Sequence, residues 1–214
     1  MRLPITRPLV YLITFGEASD ANFESARVKI VSIVKSAVES GISMIQLREK
    51  KLSGKYLFKL ASELATITKG TESRLVINDR ADIAKAAGAD GVHLTAKSLP
   101  VEVVRRHFGE DFLIGASTHS SDEIRSATTN GADFVVFGPV FQTLNKGTPV
   151  GVEKLKDICS EFPPFPVIGL GGIDETNFTS VIETGAAGIA AIRALNNVDS
   201  MRRVLTLRGL ARDK

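Results

Sequence analysis

The sequence predicts a single α/β domain, spanning residues 1–214, that folds as a (β/α)8 TIM barrel. Eight short apolar runs, many of them rich in β-branched residues, alternate with amphipathic stretches along the chain. Continuous apolar runs are typical of parallel strands buried on both faces, and helical apolar spacing is typical of the helices that cover such a sheet. A length of 214 residues also suits one α/β barrel.

The predicted elements follow one another in a regular order. The strands are Leu9–Phe15, Ser43–Leu47, Leu75–Ile77, Gly91–Leu94, Phe112–Gly115, Phe134–Phe137, Pro166–Leu170 and Gly188–Ile192. The helices between them include Phe23–Ser40, Lys55–Lys69, Ser121–Asn130 and Glu175–Thr184. Glycine, which favours the end of a helix, recurs at four helix-to-strand junctions, at Gly41, Gly88, Gly131 and Gly185. A doubly wound open sheet is the alternative, but no glycine-rich dinucleotide loop follows the first strand.

Composition narrows the classes of partner. The formal charge of +3 and a pI near 9.0 suit anionic small molecules. We expect no nucleic-acid partner, because no Lys/Arg run or basic stripe with interleaved aromatics occurs. The single Cys159 excludes an intrachain disulfide and a cysteine-based metal cluster. No apolar stretch approaches the length of a membrane span and no cleavage signal follows the N-terminus, so we expect a cytoplasmic protein.

Polar residues lie at or just beyond the ends of seven of the eight predicted strands. In a (β/α)8 barrel the carboxyl ends of the strands carry the chemistry, so these residues predict a site. They include Gln46, Arg48, Lys50, Asn78, Asp79, His93, Ser117, His119, Thr143, Lys146, Gly171, Gly172 and Arg193.

Several of these residues suit phosphate. Arg48 supplies a planar fork and Lys50 a point charge, which together form a clamp. Gly171 and Gly172 precede a helix predicted to start near Asp174, and bare backbone N–H groups at a helix N-terminus bind phosphate. Arg193 either closes over the same phosphate or forms a surface ion pair.

Other strand-end residues suit proton transfer or metal binding. His119, among small hydroxyl residues, suits an exposed acid/base, whereas His93 fits either that role or a hydrogen bond to backbone. Asp79 suits a divalent cation if substrate phosphates complete the site, or a helix N-cap. Lys146 lies in a loop long enough to act as a lid, and a solvated lysine is the alternative.

Six segments in this order resemble the thiamine phosphate synthase/TenI superfamily, over roughly Tyr11 to Leu195. They are Gln46–Lys50, Ile77–Arg80, Gly88–Leu94, Gly115–His119, Gly138–Phe141 with Thr143 and Lys146, and Gly169–Ile173. The resemblance implies the barrel fold, a small phosphorylated heterocyclic substrate, and substrate contacts from Gln46 and Thr143 among others. It also allows a homo-oligomer.

The superfamily contains two activities. Synthases join hydroxymethylpyrimidine diphosphate to a thiazole phosphate and expel pyrophosphate. On that model, Arg48, Lys50 and Lys146 grip the diphosphate. Asn78 and Asp79 lie beside Mg²⁺, Ser117 contacts the pyrimidine, and Gly171-Gly172 holds the thiazole phosphate. Charge neutralisation of the departing pyrophosphate is the main electrostatic need of this step.

One departure favours the second activity. Synthases typically carry Gly-Gln-x-Asp after the fourth strand, and its Asp is a second acidic group at the metal. Here the segment is Thr95-Ala96-Lys97-Ser98. We therefore expect a TenI-type thiazole tautomerase, which needs no metal and uses one general acid/base, matched here by His119. Thiamine phosphate synthase is the alternative.

Two further alternatives stay open. A barrel that binds a thiamine precursor without turnover, as a regulator, would explain the loss of a metal carboxylate at Ser98. A sugar-phosphate isomerase or epimerase would share the phosphate loop, but the expected carboxylate pair or catalytic lysine is not convincingly placed.

Overall fold

The eight predicted strands form a closed barrel of parallel strands in the order of the chain. The computed structural model describes residues 6–143 and 147–210. The strands are β1 (Leu9–Ile13), β2 (Met44–Leu47), β3 (Arg74–Asn78), β4 (Gly91–Leu94), β5 (Leu113–Thr118), β6 (Phe134–Phe137), β7 (Val167–Leu170) and β8 (Gly188–Ala191). The predicted barrel is confirmed, and the open-sheet alternative is wrong because β8 pairs with β1.

A helix follows each strand. The helices are α1 (Phe23–Glu39), α2 (Gly54–Thr68), α3 (Ala81–Ala87), α4 (Val101–Phe108), α5 (Ser121–Thr129), α6 (Gly151–Glu161), α7 (Phe178–Ile182) and α8 (Val198–Leu210), and a short 3-10 turn, Asp20–Asn22, precedes α1. In the described part of the chain, no helix combines the length and apolar character needed to cross a bilayer.

Helix α7 is shorter than predicted and starts later. The expected start near Asp174 is wrong, because the preceding residues form a side-chain-stabilised turn. The Oδ1 of Asn177 accepts the Asp174 N–H at 3.0 Å, and the Oδ1 of Asp174 accepts the Thr176 N–H at 2.8 Å. Asx side chains of this kind compete with helical backbone hydrogen bonds, so the helix begins only at Phe178.

The barrel interior is filled by side chains that alternate along each strand. Tyr11, Met44, Leu113 and Phe134 belong to this inner cluster, and their neighbours on each strand pack outward against the helices. Gly115 leaves room for Phe134, since a Cβ at Gly115 would lie 2.2 Å from the Cζ of that ring. The interior is therefore a packed floor beneath the carboxyl ends of the strands, where the polar residues gather.

The first and last strands close the barrel. Leu9 to Leu12 pair with Gly188 to Ala191. Just beyond β8, the Nδ2 of Asn196 donates to the carbonyl of Ile13 at 2.8 Å and to that of Ile192 at 2.7 Å. The seam between the two ends of the chain is thus held by side-chain as well as strand hydrogen bonds.

Candidate active site

Four of the predicted residues and two neighbours gather at the ends of β2, β3 and β4. We call this group the Asp79 cluster; it comprises Arg48, Lys50, Asn78, Asp79, Thr95 and Ser98. The Asp79 Oδ2 accepts the Asn78 Nδ2–H at 2.6 Å and lies 3.9 Å from the Lys50 Nζ. Its Oδ1 accepts hydrogen bonds from the hydroxyls of Thr95, at 3.0 Å, and Ser98.

Asp79 is held ionised in a strained conformation. Its φ of 61° lies in the left-handed region, which non-glycine residues seldom occupy outside functional or tightly determined positions. Partial burial disfavours its charge, but hydrogen bonds from Ser98 and Thr95, with the charge of Lys50, outweigh that effect and hold its pKa below the usual value. The Asp79 carboxylate is thus held in a fixed orientation and in its charged form without a ligand.

Ser98 is the residue that the sequence resemblance sets against the second acid of the synthase motif. Its hydroxyl accepts the Thr95 N–H at 2.6 Å and donates to Asp79. Ser98 therefore orients the first carboxylate instead of adding a second charge, and the neighbouring Lys97 side chain is exposed to solvent.

The loop after β1, which lies beside Arg48, is held by a residue that the sequence did not single out for the site. Buried Glu49 accepts the N–H groups of Gly16 at 3.0 Å and Ala18 at 2.8 Å, and so fixes the loop after β1. The Arg48 N–H donates to the Thr14 Oγ1 at 2.9 Å. The position of Glu49 directly between Arg48 and Lys50 in the sequence was the feature that could have indicated this structural role.

A second set of residues connects several strands just below the mouth of the barrel, which is the opening formed by the carboxyl ends of the strands. The Gln46 Nε2 lies 2.7 Å from the Tyr11 hydroxyl, which lies 3.3 Å from the His93 Nδ1. The His93 Nε2 lies 2.9 Å from the Ser117 Oγ. Burial lowers the pKa of His93 to about 4 and raises that of Tyr11, so both side chains are neutral at pH 7.

A cavity of about 690 Å³ opens over the ends of β5 to β8. Its lining includes the predicted residues His119, Thr143, Gly171, Gly172 and Arg193. The His119 Nδ1 lies 2.7 Å from the carbonyl oxygen of Gly138, which only accepts, so Nδ1 carries the proton and the Nε2 of the neutral ring keeps a lone pair. Among the described residues, no carboxylate forms a salt bridge with Arg193, which leaves its guanidinium available to a ligand.

The glycine loop after β7 differs from the predicted helix N-terminus. Because α7 begins at Phe178, Gly171 and Gly172 lie in the turn itself, with φ of 108° and 65°. A Cβ at Gly172 would lie 2.8 Å from the carbonyl oxygen of Gln142. The loop brings bare backbone against the cavity without a helix dipole behind it.

Most of the predicted residues thus fall into two groups at one mouth, while Gln46, His93 and Ser117 form the row below them. Lys146 lies outside the described residues. Within the described part of the chain, no group of three or more His, Cys, Asp or Glu side chains has the arrangement of a metal centre. Within the Asp79 cluster the carboxylate is that of Asp79, and a single carboxylate suits Mg²⁺ only when phosphate oxygens of a ligand complete its shell.

Comparison with known proteins places the chain among thiamine enzymes. A family model described as thiamine monophosphate synthase matches residues 10–195. The thiamine-phosphate synthase of Caldicellulosiruptor bescii is 39% identical over 176 residues, covering 81% of this chain and 80% of the relative. That of Haloarcula marismortui is 37% identical over 196 residues, covering 89% and 90%.

Solved structures agree with this assignment. The thiamine phosphate pyrophosphorylase from Pyrococcus furiosus superposes with a TM-score of 0.80 at 29% identity, covering 98% of this chain and 97% of that one. The resemblance inferred from the six sequence segments is therefore confirmed. The chain belongs to the thiamine monophosphate synthase/TenI family.

Proposed function

We propose that the protein is a thiamine phosphate synthase, which joins hydroxymethylpyrimidine diphosphate to a thiazole phosphate and releases pyrophosphate. The observation that carries the proposal is that two groups of residues suited to anions lie at the carboxyl ends of the strands, one at β2 to β4 and one at β5 to β8. The Asp79 cluster, with Arg48 and Lys50, suits a diphosphate. The cavity with Gly171, Gly172 and Arg193 suits a second phosphate.

The names of the relatives also favour this function over the tautomerase that the Ser98 departure led us to expect. They favour an enzyme over the non-catalytic regulator as well. If both groups bind phosphate, they exceed what a single phosphorylated thiazole requires, which is a further reason to propose a reaction between two substrates.

The residues have distinct roles in the proposed reaction. Arg48 and Lys50 hold the diphosphate and offset the charge that grows on the leaving pyrophosphate; Lys146 is proposed to join them. Asp79 would hold Mg²⁺ together with the diphosphate oxygens, and the metal would supply further charge neutralisation. The glycine loop and Arg193 would orient the thiazole phosphate so that its ring nitrogen faces the reacting carbon.

The test is turnover of both substrates with and without Mg²⁺, following thiamine phosphate. Asp79→Asn keeps the shape of the side chain but removes its charge, and we expect kcat to fall on the order of 10²-fold or more, as when one electrostatic group is lost. Asp82→Asn is the matched control, since Asp82, on α3, pairs with Arg80 and faces solvent. Its activity should equal that of the wild-type protein.

A tautomerase remains the second candidate because of one observation. The His119 Nε2 keeps its lone pair at the edge of the cavity, as a general base requires. If the folded protein makes no thiamine phosphate but isomerises a thiazole carboxylate phosphate, the synthase proposal fails. His119→Asn should then abolish the isomerisation, and His107→Asn, on the exposed face of α4, should leave it unchanged.

A further inference from the structure

Four side chains form a hydrogen-bonded row across the barrel, directly below the mouth. They are Gln46 on β2, Tyr11 on β1, His93 on β4 and Ser117 on β5, and each is within 3.3 Å of the next. The first three are between 0% and 3% exposed, whereas Ser117 is half-buried. Ser117 points to the same face of β5 as the inner residue Leu113, so only the Ser117 end of the row opens towards the mouth.

The donors in this row have one consistent order. The Gln46 Nε2–H donates to the Tyr11 oxygen, so the phenol proton is free to be donated to the His93 Nδ1. A neutral imidazole carries one N–H, and with Nδ1 accepting, that proton sits on Nε2. The His93 Nε2–H then donates to the Ser117 Oγ. The proton of the Ser117 hydroxyl is left to point away from His93.

We propose that Tyr11 and His93 are positioning residues that hold the Ser117 hydroxyl as a hydrogen-bond donor facing the mouth. The site would then select a ligand that presents a lone pair at that point. Under the proposed synthase function, on which this assignment of the ligand rests, the acceptor is a ring nitrogen of the pyrimidine substrate. Gln46, Tyr11 and His93 keep this direction because they are buried, so no solvent molecule competes for the hydrogen bonds between them.

The alternative to this proposal is the same row of hydrogen bonds with every donor and acceptor exchanged. If the Gln46 amide were turned round, Tyr11 would donate to its oxygen and the His93 Nδ1–H would donate to Tyr11. The His93 Nε2 would then accept the Ser117 proton, and Ser117 would offer the ligand an acceptor instead of a donor. The two directions therefore differ in which nitrogen of His93 carries the proton.

The first experiment measures that proton directly. The chain has three histidines, so ¹⁵N spectra of the ligand-free, histidine-labelled protein are simple, and His107→Asn and His119→Asn variants assign the His93 signals by elimination. We expect a protonated Nε2 and an unprotonated Nδ1 at pH 7. A protonated Nδ1, or an equal mixture of the two neutral forms, overturns the proposal. The measurement uses the unmodified chain and does not depend on the enzyme's activity.

The second experiment tests the selection of the ligand. Tyr11→Phe removes the hydroxyl that fixes His93, and we expect KM for hydroxymethylpyrimidine diphosphate to rise on the order of tenfold, the value of one hydrogen bond. KM for the thiazole phosphate should stay unchanged, and the His93 spectrum should show a mixture of neutral forms. Tyr56→Phe, which removes the other tyrosine hydroxyl on α2, is the matched control.

The outcomes separate this inference from the proposed function. Equal rises in both KM values, or no change, would mean that Tyr11 only supports the fold, and the inference is then wrong. If the wild-type protein makes no thiamine phosphate, the synthase proposal fails, while the His93 spectrum still decides the direction of the row.

Discussion

His93 is neutral because its burial in the interior of the barrel disfavours the charged, protonated form. Burial lowers its pKa to about 4, against an ordinary value near 6.5. Between these values the unfolded chain binds the proton and the folded chain does not, so the free energy of unfolding must fall as the pH falls. The loss reaches up to roughly 3 kcal/mol at pH 4.

This acid sensitivity is checked by urea denaturation at pH 7 and at pH 4.5. The difference between the two free energies of unfolding should be smaller for His93→Gln than for the wild-type protein. His107→Gln, a change at an exposed histidine on α4, should retain the wild-type difference. Equal differences in all three proteins would show that His93 does not titrate as described.

The sequence was a better guide to polar strand ends than to contacts between them. Arg48, Lys50 and Asp79 were predictable because parallel strands bring their carboxyl ends to one edge of a barrel. The partner of His93 was not predictable, because Tyr11 is 82 positions away and sits in an ordinary apolar run. Only the closure of the barrel brings the two rings together.

The loop after β7 is the element in which backbone conformation matters most for binding. In Gly172→Ala, a φ of 65° costs about 1–2 kcal/mol for a residue with a Cβ, and that Cβ would also lie 2.8 Å from Phe141 and Gln142. We expect the loop to shift and KM for the thiazole phosphate to rise at least tenfold.

Gly70→Ala is the matched control for this change. Gly70 has a φ of 77° but open space around its Cα, so the substitution carries the backbone strain without the clash. Steady-state kinetics should show wild-type KM values for Gly70→Ala. If Gly172→Ala also behaves like wild type, the loop does not hold the phosphate.

Element boundaries were predictable where periodicity alone decides them. Helix α1 matches the prediction closely because its long apolar periodicity leaves one choice of buried face, and strands β4 and β6 match as short apolar runs. Helix α7 was predicted too long, since the Asx turn at Asp174–Asn177 uses side-chain hydrogen bonds that apolar spacing does not reveal.

At the scale of the whole molecule, the seam between β1 and β8 depends on Asn196. Its amide donates to carbonyls from both ends of the chain, so Asn196→Ala should lower the free energy of unfolding by about 1–3 kcal/mol. Amide hydrogen exchange should speed up in β1 and β8 before it does in β4.

Asn130→Ala is the control for the seam. Asn130 is half-buried at the end of α5, and its side-chain amide donates to the nearby Ser126 hydroxyl at 3.3 Å. Chemical denaturation should detect a loss of less than about 0.5 kcal/mol, as for most surface substitutions. A similar loss in both variants would argue against a special role for the seam.

The architecture as a whole followed from the sequence because eight strand-and-helix units leave few arrangements of a parallel sheet. The packing inside the barrel could not be predicted in the same way, because the need for a glycine at position 115 depends on the Phe134 ring on the next strand. The match in size between side chains on neighbouring strands leaves no periodic pattern in the sequence from which it could be predicted.

Closure of the barrel by its two chain ends also sets an order for biosynthesis. Asn196 and Ile13 are 183 positions apart, so their contact forms only after position 196 has been synthesised. Until then, one edge of β1 has no strand beside it, and an unpaired edge is a template for pairing with other chains. We therefore expect a nascent chain to be prone to aggregation through the unpaired edge of β1 until β8 has been synthesised and has paired with it.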